Sequence, residues 1–166
     1  MSNSGRFSFS RIRAERKDAA HAAEVADRKA RMSARYTELF DLIRMSSAAL
    51  VLADAPDSDR LIRTIGVHVS AGYGVPSDIE EIIRIRILNA ATAEPISRDG
   101  WKWFIYQFLK TAVGGLPRKD RKFAWALVEA WERDGKWSDN QHAWAERMLH
   151  AAWAAGGVVE TKNNVE

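Results

Sequence analysis

Apolar residues recur at helical spacing along most of the chain, most clearly from Pro117 to Trp153. Phe123, Leu127 and Trp131 fall at i, i+4 and i+8, and beyond Gly135 the same spacing returns in Trp144, Met148 and Ala152, with Leu149 and Trp153 beside them. Pro117 suits a first helical position, Gly135 suits a stop, and Ser138 followed by Gln141 has the spacing of a capping box. The stretch predicts a helix, a short corner and a second helix whose apolar stripes close on each other.

Upstream the pattern divides the chain further. Met1 to Ser10, rich in serine and containing Gly5, reads as unordered, and Ile12 to Arg31 has high helix propensity with almost nothing large and apolar to bury. Such a helix should project from the body or order on a partner. Ser33 is a plausible N-cap for a core helix carrying Tyr36, Leu39, Phe40, Ile43, Leu50 and Val51 to about Leu52. Pro56 breaks it, and Asp57 or Ser58 caps a third helix with Leu61, Ile62, Ile65 and Val69. Ala71 to Pro76 reads as a loop.

Ser77 and Glu80 have capping-box spacing ahead of Ile79 to Leu88, a run that fits helix or strand by period alone. Helix is expected, because no second convincing strand exists to pair with it. Ser97 opens the most apolar helix, with Trp101, Phe104, Ile105, Phe108 and Leu109, closed by Gly114 and Gly115. The fold class is therefore all-α, a compact bundle of six or seven helices with a basic N-terminal helical arm. Residues 1–32 form the arm, 33–157 a single bundle domain and 158–166 a polar tail.

Composition narrows the function classes. The 166 residues include no cysteine, which excludes disulfides, a thiolate nucleophile and cysteine-ligated metal. No stretch approaches the roughly 18 apolar residues of a membrane span, and the first residues carry charge where a signal peptide is apolar, so a cytoplasmic protein is expected. The net charge of +3 is unevenly spread. Residues 1–35 hold nine Lys/Arg and four acids, a net of +5, which leaves −2 for the remainder. A basic arm on a near-neutral body suits contact with phosphate, whose counterions it displaces, although a solvated charged helix reads the same way.

A second basic cluster lies at Gly114 to Lys122, where Arg118, Lys119, Arg121 and Lys122 crowd a helix start. Cations there oppose the macrodipole by a few tenths of a kcal/mol each, and an anion would offset them. Neighbouring acids such as Asp120 or Asp134 offer a plainer compensation. The stretch lacks the Gly-x-x-x-x-Gly-Lys-Ser/Thr order of a P-loop, so nucleotide hydrolysis has no support. The candidate nucleic-acid-binding residues are Arg11, Arg13, Arg16, Lys17, Arg28, Lys29, Arg31, Arg118, Lys119, Arg121 and Lys122.

Seven tryptophans invite a base-stacking role. Trp101, Trp131, Trp144 and Trp153 lie on apolar stripes and are expected in the core, whereas Trp103, Trp125 and Trp137 lie off them. An exposed ring beside Arg or Lys would favour binding. His142, Glu146 and His150 share a helical face but lack the His-Glu-x-x-His order, and over two turns they diverge too far for one metal ion. No catalytic residue, metal or cofactor is predicted, and no nucleophile has a base at hand.

Phe123, Ala124, Leu127, Glu129, Arg133, Gly135, Trp137, Ser138, Gln141, Trp144, Ala145, Met148 and Leu149 together resemble a short helical-hairpin segment of phage and mobile-element proteins. The resemblance spans Phe123 to Ala152 and implies a phage, plasmid or nucleic-acid-handling context without assigning a role to any residue. The expectation is a non-enzymatic protein that binds DNA, RNA or a nucleoprotein complex through the arm and the basic helix start. The alternative is a protein-interaction module, an assembly subunit or a mobile-element-encoded inhibitor, whose arm folds on a protein partner.

Overall fold

A computed structural model describes the backbone of residues 4–52, 56–92 and 94–161. It contains seven α-helices: α1 (Ser4–Arg35), α2 (Thr37–Leu52), α3 (Pro56–Ser70), α4 (Ser77–Leu88), α5 (Arg98–Ala112), α6 (Arg118–Asp134) and α7 (Asp139–Thr161). Short 3₁₀ turns at Ala90–Thr92 and Val113–Gly115 complete the order, and no strand occurs among the described residues. The all-α bundle read from periodicity is the observed architecture, and Ile79 to Leu88 is helical. None of these helices is long and apolar enough to cross a membrane.

The sequence of α5 explains its central place. Trp101, Phe104, Ile105, Phe108, Leu109 and Ala112 recur every three or four residues and are buried, chiefly against α7 and also against α6. Ser97 caps the helix by accepting the Gly100 N–H at 3.0 Å. Around this axis Leu61 and Ile65 of α3, Ile79 and Ile83 of α4, and Leu149 and Ala152 of α7 are fully buried.

Buried polar groups join the elements. The Tyr36 hydroxyl donates to the Val75 carbonyl at 3.1 Å and accepts the Val75 N–H at 2.9 Å. The Tyr73 hydroxyl donates to the Ala152 carbonyl at 2.9 Å, lying so close to Gly115 that any Cβ there would collide with it. Lys102, though buried, donates to the Trp137 carbonyl at 3.1 Å and to Asp139 Oδ1 at 3.0 Å.

The α6–α7 hairpin forms with the expected devices. Gly135 ends α6 in the left-handed region at φ 66°, where a side chain is disfavoured. Ser138 Oγ accepts the Gln141 N–H at 3.2 Å while Gln141 Oε1 accepts the Ser138 N–H at 2.9 Å, a reciprocal capping box. The stripes differ from expectation. Phe123 and Trp144 meet edge-on at 5.9 Å on the surface, each more than two-fifths exposed, and the buried face of α6 is Ala124, Leu127, Val128 and Ala130. Trp137 takes the core place expected of Trp144, because its indole N–H reaches the Leu127 carbonyl at 2.8 Å.

Several boundaries also differ. The Ser-rich stretch read as unordered is helical from Ser4, since Gly5 sits in a first turn where it interrupts no established ladder. Ser33 is not an N-cap but lies inside α1, its carbonyl accepting from the Thr37 hydroxyl at 3.1 Å, and the break falls at Tyr36. Asp57 does not cap α3; its carboxylate accepts the Ile96 N–H at 2.8 Å and ties the first turn of α3 to the connection ahead of α5. The Ser77–Glu80 box is not made, because Pro76 holds the cap position without a side-chain acceptor and Glu80 pairs with Arg84 at 3.2 Å. Pro117 is likewise the cap residue of α6 rather than its first helical residue. The helix of α7 runs to Thr161, into the stretch read as a polar tail; residues 162–166 of that tail, and the side chains of Leu50 and Val51, lie outside the description.

Candidate nucleic-acid interface

The two basic clusters, far apart in sequence, meet in the fold. The arm was expected to project from the body or to order on a partner; among the described residues its earlier half projects and its later half packs on the bundle. Phe9 to Ala20 are all exposed, a projection of about 18 Å at 1.5 Å per residue, whereas Val25 is buried and Met32 half-buried against the bundle. The reason is sequence: Val25, Met32 and Tyr36 supply one apolar edge at helical spacing, and nothing comparable precedes them.

Where that half docks, it lies alongside the start of α6. His21, Val25 and Arg28 of α1 line a groove of about 330 Å³ with Gly114 to Arg118, Arg121 and Ala155. No side chain caps α6, so N–H groups of its first turn remain open to an anion. Arg121 donates to the Leu116 carbonyl at 3.0 Å, which holds the turn and anchors the guanidinium at the groove wall. Arg28 lies 5.1 Å over the Tyr73 ring, and its Nε is buried with no hydrogen-bond partner among the described residues. Burial raises the Tyr73 hydroxyl above its ordinary range, with the Arg28 charge opposing, so Tyr73 stays neutral.

Lys17 and Arg13 stand one and two turns before His21 in one row of α1, so the basic row continues from the groove along the projecting half. Arg13, Arg16, Lys17, Arg118, Lys119 and Lys122 are exposed and form no ion pair among the described residues. The other candidates are placed differently. Arg11 pairs with Glu15 at 2.9 Å and Arg31 with Asp27 at 3.3 Å. Lys29 lies on the other flank of α1 with Arg63, Val67 and Trp153. The acids named as plainer compensation stay local: Asp134 pairs with Arg133 at 3.1 Å, and Asp120 forms no ion pair among the described residues.

Of the tryptophans, Trp101 and Trp137 are buried, and Trp103, Trp131 and Trp153 are half-buried against aromatic neighbours. Trp125 is 43% exposed and makes no ring, cation or hydrogen-bond contact among the described residues. Its position was visible in the i+3, i+4 and i+7 spacings from Lys122, Arg121 and Arg118; its exposure was not. His142 contacts Glu146 at 3.6 Å while His150 stacks on Trp153, and no metal-ligating group of three occurs among the described residues.

Compared with protein-family models, curated proteins and solved structures, the chain matches none.

Proposed function

We propose that this protein binds nucleic acid, alone or within a nucleoprotein complex, through phosphate contacts made by the α1 row and the start of α6. The observation that carries the reading is the groove itself, in which His21 and Arg28 of the arm face Arg118 and Arg121 across an uncapped helix start. Arg13 and Lys17 extend the positive row outward, and Lys119 and Lys122 extend it along α6. Phosphate satisfies every member of such a surface: it accepts from open backbone N–H groups, offsets cations at a helix N-terminus and pairs with free guanidinium groups. No covalent chemistry is assigned to any residue.

Anisotropy of a labelled oligonucleotide tests this. With about four phosphates neutralised, affinity should fall about 100-fold between 50 and 200 mM salt, and R118A/K119A/R121A/K122A should weaken binding and flatten that dependence. Absence of binding at low salt to either single or double strands refutes the reading.

One observation favours the alternative. Phe9 is 77% exposed and Ile12 41% exposed on the projecting half of α1, apolar groups that phosphate binding does not use. If no oligonucleotide binds while the host yields one stoichiometric protein partner whose capture is lost in F9A/I12A, the arm is a protein-docking element of an assembly subunit or inhibitor.

A further inference from the structure

We infer that the nucleic acid is single-stranded and that Trp125 is the platform on which one of its bases stacks; this rests on the phosphate-binding reading above. Trp125 lies one turn beyond Arg121 and Lys122 and two turns beyond Arg118, so one face of α6 presents three cations followed by an indole. The other tryptophans each meet an aromatic ring, a cation or a backbone carbonyl, whereas Trp125 meets none among the described residues, and its N–H is likewise unengaged. The Phe123–Trp144 pair, also exposed, lies on another flank of α6, because residues two apart on a helix do not share a face.

Charge is followed here by a ring at the spacing of a helical turn, about 5.4 Å, so that a strand held by its phosphates at the α6 start brings an unpaired base over Trp125. A duplex offers that ring no base face unless a step is unstacked, which costs a few kcal/mol. The same cations contact a duplex only through its backbone. Single strands should therefore bind more tightly than a duplex of equal length, although the duplex carries about twice the charge, and the difference should reside in Trp125.

The test compares a labelled oligothymidine of about 16 nucleotides with a duplex of the same length, at about 50 mM salt, for the full chain and for W125A. The expected result is tighter binding of the single strand, roughly tenfold weaker single-strand binding by W125A, unchanged duplex binding, and quenching of wild-type tryptophan fluorescence that is reduced in W125F. Far-UV circular dichroism confirms that W125A is folded, and the wild-type strand preference is read without any variant. If R118A/R121A/K122A weakens both ligands while W125A changes neither, or if duplex binds as tightly as single strand, phosphate binding stands and the stacking inference is overturned. If neither ligand binds at low salt, both readings fall together.

Discussion

Acid should destabilise this protein through His68 well before its carboxylates titrate. His68 of α3 is fully buried, and its Nδ1 accepts the Trp153 indole N–H at 2.9 Å. The neutral ring therefore carries its proton on Nε2, which faces the Gly74 carbonyl at 3.1 Å and the Thr111 hydroxyl at 2.9 Å. A second proton on Nδ1 would confront the indole N–H. Burial pushes the imidazole down to about 4, with the bond to the Gly74 carbonyl opposing, while the unfolded chain titrates near 6.5. A folded value below the unfolded one means that the contribution is complete above about pH 6.5 and is lost as pH falls toward 4. The full difference corresponds to about 3 kcal/mol, of which about 2 kcal/mol is lost between pH 7.5 and 5. Urea unfolding followed by tryptophan fluorescence should show the midpoint falling by about 1 M over that interval. His68→Gln is less stable at pH 7.5 but should lose most of the pH dependence, because the amide does not protonate. Burial also lowers the half-buried His142, and the slope that survives in the variant belongs to it. Equal slopes in the two proteins would refute the reasoning.

The remaining expectations concern contacts beside the α1–α6 groove and at the α6–α7 corner. Gly115→Ala forces a methyl group into the Tyr73 hydroxyl and should cost about 2–3 kcal/mol, lowering Tm by several degrees, whereas Gly114→Ala, with nothing within 4 Å, should leave Tm nearly unchanged. Ser138→Ala removes one half of the capping box and should cost about 1 kcal/mol, or about 2–4 °C in Tm. Trp137→Phe removes the indole bond to the Leu127 carbonyl, which keeps its helical partner, and should cost about 0.5–1.5 kcal/mol in denaturant unfolding. Equal melting of the two glycine variants would show that the Tyr73–Ala152 bond does not depend on close approach at Gly115.

The helical class, the hairpin with its Gly135 stop and Ser138–Gln141 box, the Ser97 cap and the central place of α5 were all legible in the sequence. Each depends on residues three to four apart, and a helix satisfies such relations locally. Tertiary structure decided what periodicity leaves open. Trp137 rather than Trp144 entered the core because the Leu127 carbonyl was within reach of its indole. Asp57 turned to the Ile96 N–H, thirty-nine residues away, instead of capping, because the fold delivers that donor to its carboxylate. The clustering of basic residues was also visible along the chain. That Arg28 of the arm and Arg118 and Arg121 of α6 share one groove depends on Val25 and Met32 docking α1 beside a turn some ninety residues away, a relation that no local spacing encodes.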